Sequence, residues 1–536
     1  MCLSAFVAMK KSDKFGARHM NLSDLQEKWD LVVVGGGITG AGILLEAARM
    51  GLKTLLVERN DFASGTSSRS SKLVHGGLRY LKEGRLYLTY ISVRERERLI
   101  KEAPGLVEPL GFLTPVYSDR RPGRLALELG LRIYDNMSRQ RDHMFYGQNE
   151  FSMRVPGVNQ EHLLGGFRFR DAQVDDARLV FRVINEGLLS GGCALNYADA
   201  VEISRNARGD VAGVVIRENE TGKTKLILTR TVINATGSWA EKIHPSPDQS
   251  LHLRPLRGSH LVFPGWAFPF PEAVTFFHPY DRRPIFIIPW EGAVIYGTTD
   301  VDHKNDLSLE PVISQEEISY LMNGLNAFFP SLEISLKDAL SSYAGIRPVL
   351  SRKHLAPSKE SREHVVWIDK GLVTITGGKL TTFRKLASDA LKAAMPFLPS
   401  VKPAGSEVVF RPSPDVFTDD RISPLLLRRL IGRYGEGAKE ILKDSGADDL
   451  SYIPGTNTVW AEIRYAAKNE AVRHLEDLLL RRVRIGLITP DGGKEHIGRI
   501  KKLCAPVLPW DERKWDAEIN MYLEKWRRSN SAPPSY

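Results

Sequence analysis

The chain has 536 residues, 42% hydrophobic and 26% charged, the composition of a globular protein with two or three domains rather than a disordered or fibrous chain. A formal net charge of +10 suits an acidic partner, such as a phosphorylated substrate, an anionic membrane surface or nucleic acid, without choosing among them. No apolar run approaches the ~20 residues that span a bilayer, and Cys2, Cys193 and Cys504 stand too far apart to suggest a disulfide framework or a zinc site, which fits a reducing cytoplasm.

In chain order, residues 1–28 read as an N-terminal extension. "MCLSAFVAM" precedes Lys10 and Lys11, the reverse of a secretory signal, and Met9 and Met20 offer alternative starts. The stretch "DLVVVGGGITGAGILLEAARMGLKTLLVE" from Asp30 then predicts strand, glycine turn, helix and second strand. Gly35 permits the tight turn, Gly37 allows backbone to approach a pyrophosphate, and Gly40 lets helix and strand pack closely. Ile38 and Thr39 open the helix, whose free N–H groups and dipole favour phosphate oxygens. Glu58 ends the second strand where a carboxylate meets the adenosine ribose, and an acid there argues against a 2′-phosphate. This unit binds a dinucleotide but does not separate NAD from FAD.

"SSKLVHGGLRYL", Ser70 to Leu81, favours flavin, whose ring must be held with one face open. Ser70, Ser71 and Lys72 are expected at the pyrophosphate. Gly76 and Gly77 let backbone lie against the ring, His75 packs beside it, and Arg79 and Tyr80 project toward the substrate. The basic-ended stretch Arg120 to Arg141 reads equally as a membrane-interface helix or a core helix. Asp175 and Asp176 read as a helix start rather than as catalysts. "TVINATGSWA" predicts a buried strand returning to the nucleotide at Ala235, Thr236 and Gly237. "LVTITGGKLTTFRKLA" predicts a strand, a turn at Gly377 and Gly378, and a helix start offering Lys379, Leu380 and Thr381 to the flavin. The leucines of "LLLRRLIGRY" and "LEDLLLRRVRIGL" recur at helical spacing and suit a domain core.

These stretches, with "SSRSSKLVHGGLRYL", "DAQVDDARLV", "RPLRGSHLVF", "IFIIPWEGAVIYGTTDVDHKND" and "YAGIRPVL", resemble the FAD-dependent glycerol-3-phosphate dehydrogenases of the D-amino-acid-oxidase-like group. The implied fold class is α/β (α+β overall): a Rossmann-like FAD-binding domain over 29–397, interleaved with an antiparallel-sheet substrate domain at about 104–168 and 254–340, then a C-terminal helical domain over 398–536. Trp29 to Ala103, Phe169 to Leu253 and Ser341 to Phe397 are expected to build the nucleotide domain. The implied reaction oxidises sn-glycerol 3-phosphate to dihydroxyacetone phosphate through FAD and on to a quinone.

Arg79, Tyr80, Arg347, Arg362 and Lys379 match the resemblance's substrate pocket, and Ser67 its cofactor site. His260 of "RGSHLVF" is the expected proton acceptor, with Arg79 and Arg347 as further catalytic groups. Arg257 stands where the family usually has Lys. No metal site is expected, and no calcium loop is present in the sequence. The resemblance implies a cytoplasmic enzyme, peripherally attached to the inner face of the cell membrane, and is compatible with a homodimer. An oxygen-using glycerol-3-phosphate oxidase, an RNA-modifying flavoprotein and a dinucleotide sensor are the alternatives. The scattered cations, without a basic stripe and aromatic platforms, argue against nucleic acid.

Overall fold

The computed structural model describes residues 20–78, 81, 84–247, 252–351, 363–401, 408–411 and 418–532. Arg79, Tyr80, Arg362 and most of the expected N-terminal extension lie outside them.

The nucleotide sheet is assembled from four separated stretches of chain. Its strands are β1 (Leu31–Val34), β2 (Thr54–Glu58), β3 (Cys193–Asn196), β4 (Val232–Asn234), β5 (His364–Asp369) and β6 (Leu372–Gly377), in the order β5-β6-β4-β1-β2-β3. All neighbours are parallel except β5 against β6. β1 is buried throughout, as its unbroken Leu-Val-Val-Val run requires of a central strand covered on both faces. Helix α1 (Ile38–Arg49) follows β1 and ends at Gly51, whose φ of 82° suits glycine.

Four further helices position the site. They are α2 (Leu86–Glu102), α3 (Arg124–Ser138), α4 (Asp176–Leu189) and α5 (Phe383–Ala394). Asp175 caps α4, accepting the Arg178 N–H at 3.1 Å. The turn before α5 is 3-10 helix over Leu380–Thr382, tighter than the expected plain helix start.

A second, ten-stranded sheet runs beside the first. Its long strands are Val107–Tyr117, Leu163–Val174, His252–Pro264 and Ser341–Ser351. It is antiparallel except where Ala273–Phe277 runs parallel to Val107–Tyr117. Two stretches expected in the nucleotide unit fall here instead. Ser341–Ser351 pairs along its whole length with His252 to Val262, and Phe169 to Val174 continues the strand that pairs with Val107–Tyr117. A strand long enough to cross between layers carries its sequence neighbours with it.

The C-terminal part is helical, ending in α6 (Glu512–Ser529). Leu475, Leu478 and Leu479 are fully buried, as their spacing implies, against Trp515 and Tyr522. Its π-helical turn over Asp477–Arg482 turns both Arg481 and Arg482 onto Asp61, just beyond β2. Asp61, Arg481 and Arg482 are buried, so this joint is ionic rather than oily. Arg484 and Arg433 make a second buried joint to Asp175, and Arg484 also pairs with Asp176.

Candidate active site

One cavity of about 1500 Å³ runs from the carboxyl ends of β1 and β2 to the second sheet. That exceeds the roughly 300–1,000 Å³ of an ordinary small-molecule pocket and suits an elongated dinucleotide with substrate beside it.

At the nucleotide end, Gly35 has φ of 112°, and a Cβ there would lie 2.7 Å from the Ala235 carbonyl oxygen. At Gly40 a Cβ would stand 1.9 Å from the Gly35 carbonyl oxygen, so helix–strand packing requires glycine. Gly40 is accordingly behind the wall, while Gly35, Gly37, Ile38 and Thr39 line the cavity. Gly37 caps α1 with no side chain, leaving the first turn open to a phosphate. Ser67 Oγ accepts the Ile38 N–H at 3.0 Å. Glu58 accepts the N–H groups of Gly36 and Asn60, at 2.7 and 2.9 Å, and burial raises its carboxyl above the usual range. Ala235, Thr236 and Gly237 face the same space, where Gly237 O accepts the Thr376 hydroxyl at 2.9 Å.

The Ser70–Leu81 segment divides differently from its sequence expectation. Ser70, Ser71, His75 and Gly77 line the cavity, but Lys72 does not. Its ammonium is fully buried and bound to Asp176 at 2.9 Å, since a cation shut away from water needs a carboxylate. Ser70 donates its hydroxyl to the same Asp176 at 2.7 Å. Gly76 is also displaced from the expected ring contact. It backs onto α2 and α3, where a Cβ would meet the Tyr134 hydroxyl at 2.3 Å.

His260 sits differently from its sequence expectation. It is absent from the cavity wall and fully buried, stacked on Tyr343 with ring centroids 4.6 Å apart. Its Nε2 meets the Ser71 hydroxyl at 2.9 Å. Burial, then the nearby Arg347 and Lys72 cations, lower its pKa well below the ordinary value, so the imidazole is a weak base that fixes Ser71. Arg257 likewise turns away, pairing with Glu317 at 2.7 Å.

At the far end, Lys379 stands on the wall beside Gly378, Leu380 and Thr381. Its ammonium donates to Ser92 Oγ at 2.6 Å, and burial, only partly offset by Asp171, lowers its pKa to about 7. Arg347 meets Asp300 at 3.2 Å and Thr298 at 3.1 Å. Arg283, which sequence reasoning missed, approaches the other oxygen of Asp300 at 3.2 Å and also lines the cavity. Phe112, Phe167 and Phe286 close the floor.

A FAD fits this donor set, with an open helix N-terminus, a carboxylate at the ribose position and glycine-lined backbone between them.

Comparison with known proteins agrees with that geometry. The FAD dependent oxidoreductase family matches residues 30–384, and the C-terminal domain of alpha-glycerophosphate oxidase matches 374–515. Glycerol-3-phosphate dehydrogenase 2 of Mycobacterium tuberculosis is 35% identical, with 93% of this chain and 88% of the relative covered. The chain belongs to the FAD-dependent glycerol-3-phosphate dehydrogenases. Aerobic glycerol-3-phosphate dehydrogenase of Staphylococcus aureus is 32% identical, covering 87% of this chain and 89% of that one. Among solved structures, the glycerol-3-phosphate dehydrogenase from Bacillus halodurans complexed with FAD superposes with a TM-score of 0.72 at 25% identity, over 95% of this chain and 96% of that one. In this member of the dehydrogenase family, FAD is the cofactor and the two sheets are the family's α/β architecture.

Proposed function

We propose that the protein oxidises the C2 hydroxyl of sn-glycerol 3-phosphate to the ketone of dihydroxyacetone phosphate and passes the electrons to a quinone. The observation that carries the reading is that Lys379, Arg283 and Arg347 line the same cavity as Glu58, with Arg283 and Arg347 meeting at Asp300. FAD, when bound, supplies the two-electron acceptor.

The protein's own groups do the rest. Arg283 and Arg347 share a single carboxylate, Asp300, which leaves a net positive wall for a phosphate. Lys379, near pKa 7, holds a neutral amine fraction at neutral pH and takes the C2 hydroxyl proton. Its bond to Ser92 fixes where the nitrogen stands. The phenylalanine floor excludes water and strengthens these interactions. Arg79, Tyr80 and Arg362 are the remaining substrate groups of this proposal, all outside the described residues.

The test is the visible spectrum of the purified protein without oxygen. Glycerol 3-phosphate bleaches the flavin band, and a soluble quinone restores it. A flavin band indifferent to this substrate overturns the reading. Peroxide formation in air with no response to quinone replaces it by the oxidase.

Quinone use requires a route to lipid. None of the helices among the described residues is long and apolar enough to cross a membrane. Instead α3 leaves Leu125 82% exposed and Leu129 63% exposed, beside Tyr87 of α2 at 73%. Arg96 of α2 binds the Tyr134 hydroxyl of α3 at 3.1 Å on their buried sides, which packs the two helices together. Arg121, Arg124 and Arg132, on α3 or just before it, are exposed and suited to lipid phosphates, while Leu127 and Ile133 of α3 line the cavity itself. These exposed apolar and basic residues suit peripheral attachment near the cavity, which we assign to the inner side of the cell membrane. Leu125→Glu with Tyr87→Glu is expected to lower co-sedimentation with phosphatidylglycerol vesicles at least about tenfold, with flavin bleaching retained. Undiminished sedimentation would refute the assignment.

A further inference from the structure

Between the strand Val301–Asp302 and the helix Gln315–Phe328 the chain forms neither helix nor strand, yet Leu307 to Pro311 make part of the cavity wall. Something outside this segment must hold it there. Glu310, within the segment, makes that attachment. Its carboxylate pairs with Arg69, close to Ser70 and Ser71, and reaches Lys525 of α6 at 3.7 Å. From Lys525 the ion pairs continue to Glu476 at 2.7 Å, to Arg481 at 3.2 Å and to Asp61 at 2.5 Å. Asp61 follows Glu58 by one loop, so the chain of charges returns to the ribose end of the cavity.

One further contact locates the segment at that end. Asp306 lies 3.9 Å from Lys242, and the neighbouring Trp239 carries the Arg59 guanidinium 4.8 Å above its ring. Arg69, Glu476, Arg481 and Lys525 all line the cavity themselves. A tie that served only to fasten one domain to another would have no reason to form the wall of the cofactor site. Burial opposes the Glu310 carboxylate, but the Arg69 and Lys525 cations outweigh it and keep its pKa low.

We propose that Glu310 is a positioning residue for the nucleotide half of FAD: it pins the 303–313 strap to Arg69 and Lys525 and so makes the C-terminal helical part a component of the FAD site. Release of FAD then requires both ties to open.

The experiment dilutes FAD-loaded protein into flavin-free buffer and follows the rise in flavin fluorescence. Glu310→Gln is expected to release FAD about tenfold faster, equivalent to about 1.4 kcal/mol. Lys525→Met, which keeps the tie to Arg69 but removes the links of α6 to Glu310 and Glu476, gives a smaller acceleration. Exchanging the charges, Arg69→Glu with Glu310→Arg, rebuilds the first tie only, so release slows from the Glu310→Gln rate toward that of Lys525→Met. The melting temperature of the flavin-free protein is expected to be the same for wild type and Glu310→Gln. Wild-type release from both Glu310→Gln and Lys525→Met overturns the proposal, and so does faster release accompanied by an equally destabilised flavin-free protein. Should Glu310→Gln fail to fold, the release rate of Lys525→Met decides alone.

Discussion

Lys379→Met is expected to lower kcat/KM for glycerol 3-phosphate about 10³-fold while the protein keeps its FAD, the usual size of a lost general base. The side chain stays apolar and of similar length, so the cavity wall is preserved. The proton acceptor is not. Because burial holds the wild-type amine near pKa 7, its neutral fraction rises as pH passes through that value. The wild-type kcat/KM should therefore climb from pH 6 to a plateau above pH 8, and the climb should vanish in Lys379→Met. A steady-state pH profile decides the matter. An activity that instead falls above pH 7 would mean that Lys379 serves as a charged phosphate contact, with the proton taken elsewhere.

Asp61→Ala is expected to cost the folded protein about 3–5 kcal/mol, the range for breaking a buried ion pair. Burial works against the Asp61 carboxylate, yet the Arg482 and Arg481 guanidiniums outweigh it and bring its pKa to about 2. Removing it strands the fully buried Arg482, leaves Arg481 with only Glu476 and Asp477, and frees Asn196 from its 3.1 Å contact. Arg482 would keep only its bonds to the Glu470 and Asp477 carbonyls. Urea unfolding followed by tryptophan fluorescence would show the midpoint falling. An unchanged midpoint would mean that the joint through Asp61 adds nothing net to stability.

Most of the nucleotide site could be read from the sequence because it is local. Gly35, Gly37 and Gly40 lie within one turn, Glu58 ends the next strand, and Gly378 to Thr381 follow their own strand directly. The residues misread are those whose role is set by a distant partner. Lys72 looked like a phosphate ligand because Asp176, which neutralises it, lies 104 residues away. His260 looked like a base because strand alternation alone does not reveal which face of a two-layer sheet borders the cavity. Its pairing with Tyr343, and the ring stacking that follows, turn it behind the wall. Arg283 and Asp300 were within reach. The strands Pro284–Trp290 and Ala293–Gly297 pair antiparallel as a hairpin, so the residues at their open ends must meet. Drawing that hairpin from "RRPIFIIPWEGAVIYGTTD" would have brought the two together. The ionic joint to Arg481 and Arg482 had no comparable signal, since its partners stand 420 and 421 residues apart.

The scattered origin of the nucleotide sheet also bears on how the protein is made. β1 and β2 leave the ribosome early, but β4 gains its outer neighbour only when Leu372–Gly377 has been translated, and Lys379 comes after that. Until then the nascent chain carries an open strand edge flanked by Val232 and Ile233, the kind of surface that invites wrong pairing. Cofactor capture therefore belongs to the end of synthesis. A cell short of flavin would accumulate finished but empty chains rather than stalled fragments.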